Sequence, residues 1–182
     1  MSGLSAPPPD PARDLIRAIT GRPAGRVFLA LPTEPCDPAR WLAVAGPDAV
    51  LWAPPEGPQF AGWGPGIFFP AGPAGADPAG LAGRAARELE RITAVDPGRG
   101  GAPGPVALGG LAFDPGVPRD PRWRPFGAGF FRIPRWIYRR EGDRAWLGLL
   151  LRLPAGQSAA GELAKLERLA RTGPPPAGTA EF

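Results

Sequence analysis

Along residues 144 to 153, Ala145, Leu147, Leu149, Leu151 and Leu153 recur at every second position, with Trp146, Gly148, Leu150 and Arg152 between them. Period two places the first set on one face of a strand and the second on the other. The first face is core, and Trp146 and Leu150 imply that the second is at least partly covered. Five further runs, rich in β-formers and bounded by turn residues, predict strands over 26–31, 49–53, 60–69, 105–113 and 129–139. Arg140-Glu141-Gly142-Asp143 reads as a hairpin turn into the last strand. Pro134 has no N–H to give to a ladder, so its strand is expected at an edge or bulged. Phe113 and Leu149 are both expected in the core.

Helical signals share one opening. Asp10-Pro11-Ala12, Asp37-Pro38-Ala39 and Asp77-Pro78-Ala79 each set a capping carboxylate before a proline at the first helical position, where the missing N–H costs nothing. The first two helices are expected to stop at Gly21 and at Gly46-Pro47. In the third, Leu81, Ala85, Leu89 and Ile92 make an apolar stripe for a sheet, and Arg84 and Glu88 are spaced to pair on the exposed side. A fourth helix, Ser158 to Thr172, turns Leu163, Leu166 and Ala170 inward and stops at Gly173. Residues 1–9 read as a disordered tail, 10–172 as one domain, and 173–182 as a Pro/Gly linker.

Composition alters this picture in two places. The 27 Gly and 28 Pro are about 30 per cent of 182 residues, a proportion that alone suggests disorder. Six Trp, nine Phe and 43% hydrophobic residues argue instead for a folded domain with Pro/Gly loops. All but one of the 21 basic residues are Arg, the exception being Lys165. Eight of them (Arg119, Arg122, Arg124, Arg132, Arg135, Arg139, Arg140 and Arg144) face only Asp120, Glu141 and Asp143 within 119–144, a net of five positive charges. Such a run can attract an anionic partner, but the favoured reading is that these are solvent-facing strand and loop positions. A single cysteine, Cys36, excludes an intrachain disulfide, and no apolar leader or spanning run is present, so a cytoplasmic protein is expected.

The residue inventory restricts chemistry. No histidine occurs, which removes Ser-His and Cys-His nucleophile pairs and imidazole metal sites. Cys36, without a base, is expected to be structural. Glu88 and Glu90 point to different sides of their helix, and no acids have a metal-ligand spacing. Gly62-Trp63-Gly64-Pro65-Gly66 and Gly98-Arg99-Gly100-Gly101 do not fit phosphate loops. Gly109-Gly110 is expected to admit a close neighbour to its strand, and Asp114 to cap a turn. No catalytic, cofactor-binding or metal residue is assigned.

One ordered set of motifs remains. Gly109-Gly110-Leu111-Ala112-Phe113-Asp114 is followed by Trp123, Phe126-Gly127 and Phe131-Arg132-Ile133-Pro134-Arg135; Trp41-Leu42, Val50-Leu51-Trp52-Ala53 and Ala61-Gly62-Trp63-Gly64 precede them. From residue 26 to about 153 this resembles the amino-terminal half of isochorismate synthases, in the chorismate-utilising enzyme family. The resemblance implies an α+β fold of antiparallel strands flanked by helices, the non-catalytic half of an anthranilate synthase-like architecture. It implies conversion of chorismate to isochorismate for menaquinone or siderophore synthesis, by a lysine base, a glutamate acid and Mg²⁺ on a carboxy-terminal half. Lys165, in Ala164-Lys165-Leu166-Glu167, does not match that base motif, so the chain alone is expected to be inactive and without a cofactor, with a chorismate-binding half as its partner. Val27 to Pro32 lacks the Leu-Leu-Glu-Ser element of the tryptophan-inhibited relatives. The alternatives are a stand-alone Arg-rich binding module or a fragment without function. An apolar surface for the partner is expected, because the last strand is hydrophobic on both faces.

Overall fold

The computed structural model describes residues 19, 23–46, 48–71, 78–96, 101–113, 127–153 and 159–175. Nine strands occur among them: β1 (Gly25–Thr33), β2 (Val50–Trp52), β3 (Gln59–Trp63), β4 (Ile67–Pro70), β5 (Ile92–Val95), β6 (Leu108–Leu111), β7 (Gly129–Ile133), β8 (Trp136–Glu141) and β9 (Arg144–Leu153). They form a six-stranded sheet ordered β2-β3-β8-β9-β1-β5 and a three-stranded sheet ordered β4-β7-β6. Helix α1 (Pro78–Glu90) packs on the small sheet, and α2 (Ala159–Thr172) covers the other face of the large one. The architecture is α+β, as the sequence implies.

Strand β9 has the predicted bounds and both of its faces are filled. Leu147, Leu149 and Leu151 join Val27, Leu29, Trp41, Tyr138, Leu163 and Leu166 in the core beneath α2. Trp146 and Leu150 join Phe28, Phe60, Ile133 and Ile137 in a second core between the sheets. Gly148 lets these layers close: a Cβ there would stand 2.2 Å from the Phe28 ring. The two-residue turn Gly142-Asp143 links β8 to β9, with Gly142 at φ 62 and Arg140 donating to the Gly142 carbonyl.

Two predicted strands are each divided between the sheets. The run 60–69 breaks at Gly64–Gly66 and 129–139 breaks at Pro134-Arg135, and the halves stay paired, β3 with β8 and β4 with β7. A two-stranded ribbon therefore turns a corner out of one sheet into the other, a device by which stacked sheets share strands. The corner is built from close approaches: a Cβ on Gly62 would meet the Pro134 ring at 2.4 Å, and one on Gly66 the Ile133 carbonyl oxygen at 2.0 Å. Gly64 takes φ 78. Pro134 thus marks a change of sheet, and β7 is the central strand of the small sheet rather than an edge.

Other expectations are corrected. Ile92 is not on the helix stripe but opens β5, which pairs in parallel with β1, so the large sheet is mixed. Glu88 bonds Arg26 of β1 and lies 3.7 Å from Arg91, while Arg84 donates to the Pro70 carbonyl, so the Arg84–Glu88 pair does not form. Tertiary partners outcompete a surface i,i+4 pair because such pairs contribute little. Residues 37–46 form a 3-10 helix (Pro38–Val44), with the Asp37 carboxylate accepting from the Ala39 N–H at 2.9 Å.

Phe113 is exposed, at 106% of its reference area, because β6 ends at Leu111 and the chain bends away. Gly109 admits β7 closely, its Cβ position being 2.0 Å from the Phe130 carbonyl oxygen, whereas a Cβ on Gly110 would meet no described residue within 4 Å. The apolar surface expected on β9 is covered; among the described residues the exposed large apolar side chains are Leu51, Trp52, Phe68, Leu111 and Phe113. Helix α2 ends at Gly173, φ 70, and Pro174 is buried. Of the predicted first helix only Ile19 is described, helical and buried. Residues 1–9 and 176–182, with Asp77, Gly98 to Gly100, Asp114, Trp123 and Phe126, lie outside the described residues. No described helix is long and apolar enough to cross a membrane.

Candidate functional site

Several of the described motif residues, Trp41, Gly62, Trp63, Pro134 and Arg135, meet at or beside the corner between the sheets. Trp63, just before it, and Trp136, just after it, stack at 6.1 Å and 8° between planes, and Trp41 of the 3-10 helix continues the stack on Trp63 at 5.4 Å. Tyr138 lies 5.3 Å from Trp41. Helix α2 closes over this row, with Lys165 Nζ 5.3 Å from the Trp136 ring and Glu162 3.7 Å from Arg135. The Arg135 carbonyl accepts from the Leu150 N–H at 2.8 Å. Each motif residue here holds one layer against another, by stacking, by a missing side chain or by an ion pair.

Tyr138 is fully buried, and its hydroxyl accepts from the Cys36 N–H at 2.8 Å and donates to the Cys36 carbonyl at 3.0 Å. Burial pushes the phenol far above its ordinary pKa, with the Cys36 N–H acting in the opposite sense. Below about pH 10 the phenol is protonated in folded and unfolded chains alike, so its contribution to stability is intact. Above that pH the unfolded chain ionises first, and stability falls until the folded group titrates. Because Tyr138 is the only tyrosine, phenolate absorbance reads it directly. It should rise only above pH 10 and together with unfolding; titration near 10 in a chain that stays folded would place Tyr138 in solvent.

The remaining sequence candidates are engaged structurally. Cys36 is half-buried against the α2-side core and carries no base. Glu88 and Glu90 point to different sides, as expected, but it is Glu90 that faces solvent, while Glu88 turns to Arg26 of β1 rather than to the exposed side. The five described arginines of the basic run are dispersed. Arg132 bonds Asp48 and Arg135 faces Glu162; Arg139 meets Glu141 at 2.8 Å and lies over Phe60. Arg140 caps the hairpin, and Arg144 lies 4.7 Å over Trp146. Among the described residues no three His, Cys, Asp or Glu side chains could hold a metal ion, so the Mg²⁺ implied for the full-length family has no donor set in them.

A groove that sequence reasoning missed opens beside the small sheet. It offers about 600 Å³ between Asp48, Ala49 and the first residue of β2, Val50; Phe68 and Pro70 of β4 with Ala71 just after; and Gly129, Phe130 and Arg132 of β7 with Gly127 just before. The Phe68 and Phe130 rings lie 5.6 Å apart, tilted by 35°, and the Arg132 guanidinium carbon is 5.9 Å from the Phe68 centroid. Arg132 donates to the Asp48 carbonyl and is 3.6 Å from its carboxylate. The only trace in the sequence is that Phe68, Phe130 and Arg132 fall between core positions of their strands.

The sequence model of a family described as chorismate binding enzyme matches residues 19–173. Among solved structures, MenF, the menaquinone-specific isochorismate synthase from Escherichia coli, is similar at 17% identity and a TM-score of 0.48. The alignment covers 91% of this chain and 34% of that one, so the chain spans about a third of its length. No curated protein matches.

Proposed function

Since the chain belongs to the chorismate-binding enzyme family, which matches it from residue 19 to 173, we propose that it is the supporting, non-catalytic portion of an isochorismate synthase. In this reading it packs against a chorismate-binding half that carries the lysine base, the glutamate acid and the Mg²⁺-binding glutamates, and it keeps that half's sheet and cleft in shape. The product, isochorismate, would serve menaquinone or siderophore synthesis.

The carrying observation is the use made of the family motifs. Of the motif residues, Gly62 and Pro134 meet at the sheet corner and Trp63 stacks across it on Trp136, while the one lysine lies on a tryptophan face. These are framing roles with no proton to transfer. The apolar side chains left exposed at the edge strand β2 (Leu51 and Trp52) and at the end of β6 (Leu111 and Phe113) supply area for a partner. The experiment is co-expression with a chorismate-binding half from a relative, followed by size-exclusion chromatography. A one-to-one complex is expected, weakened by Trp52→Glu and Phe113→Glu; two separate peaks would exclude the support role.

A further inference from the structure

The groove beside the small sheet has the make-up of a ligand site that the support role does not use. We infer that it binds a small aromatic monocarboxylate, with the ring against Phe68 and Phe130 and the carboxylate on Arg132. The volume, about 600 Å³, is in the range that accepts small molecules, and such sites are typically apolar with a few fixed polar groups. Val50, Pro70 and the two phenylalanines supply the apolar walls. Gly127 contributes no side chain, and among the described residues a Cβ there would meet nothing within 4 Å, so a flat ring can approach the backbone on that side.

The charge is equally specific. Arg132 is the only cation among the described lining residues, and its side chain is only 16% exposed. Its place over the Phe68 ring and its bond to the Asp48 carbonyl fix the guanidinium before any ligand arrives, which limits the ordering cost of binding. A guanidinium presents five N–H donors in a planar fork suited to carboxylate. The Asp48 carboxylate occupies it only loosely, at 3.6 Å from a side chain that is 65% exposed. Exposed pairs of that kind add little stability, so an incoming carboxylate can displace it. Phe68, 54% exposed, supplies the face or edge that favours an aromatic ring over a saturated one.

The test is titration of the isotope-labelled chain with benzoate, followed by amide shifts, with benzyl alcohol and cyclohexanecarboxylate as matched probes. Saturable benzoate shifts are expected at Asp48, Gly127 and Gly129, with both other probes weaker. Arg132→Gln should weaken binding by at least about tenfold, Arg132→Lys should restore part of it, and Asp48→Asn should tighten it by removing the internal competitor. Thermal melts of each variant confirm that the fold is retained. Absence of saturable shifts, or binding unchanged in Arg132→Gln, overturns the inference. Benzyl alcohol binding as well as benzoate overturns the carboxylate assignment, and equal binding of cyclohexanecarboxylate overturns the aromatic one. The outcome is independent of whether the chain joins a chorismate-binding half.

Discussion

Leu149→Ala is expected to lower the unfolding free energy by about 2 to 5 kcal/mol, and Phe113→Ala to change it by less than about 0.5 kcal/mol. Leu149 is fully buried, opposite Leu29 on β1 and Trp136 on β8. Removing its branched end forfeits apolar burial and leaves a cavity. Strand β9 is hydrogen-bonded on both sides, so the backbone cannot move in to fill the space. Domains are commonly stable by only about 5 to 15 kcal/mol, which makes the loss plain in a denaturant melt. Phe113 lies beyond the last paired residue of β6 with its whole ring in solvent, and its truncation leaves no cavity. Indistinguishable melts for Leu149→Ala and the parent would mean that β9 is not the middle of the large sheet.

The contrast between these residues shows how far the sequence could be read. Strand β9 was legible to its ends because five apolar residues alternate without interruption, and the two-residue turn before it carries a glycine at the position that needs positive φ. The Asp37 cap, the inner face of α2 and its glycine stop were legible for the same local reasons. Phe113 was not, since Gly109 to Phe113 has strand composition throughout and only the pairing partner decides where the ladder ends. The corner escaped in the same way. Gly64, Gly66 and Pro134 each advertise a break, but that the breaks face one another across paired strands is a long-range fact. Strand β5 begins two residues after α1 ends, so Ile92 fits the helical stripe and the strand equally well. The groove joins residues 48, 68 and 132 through the small sheet, and no local pattern connects them.

The family motifs, by contrast, pointed to the chorismate-binding enzyme family before their structural role was visible. What they encode is the packing of two sheets and a covering helix around a tryptophan row. In the proposed support role such a frame accelerates no reaction by itself, since catalysis requires groups that stabilise the transition state more than the substrate. Proton transfer in the proposed reaction needs a base near the reacting carbon. Lys165, the one lysine, is held against Trp136, and the acids paired in the structure answer arginines.

Isochorismate formation from chorismate and Mg²⁺, measured for the purified chain alone and again with a separately expressed chorismate-binding half, tests the framing role most directly. The expected result is no turnover above the no-enzyme control for the chain alone, and turnover by the mixture that exceeds the activity of the added half by itself. Turnover by the chain alone, or a mixture no more active than the added half, would contradict it.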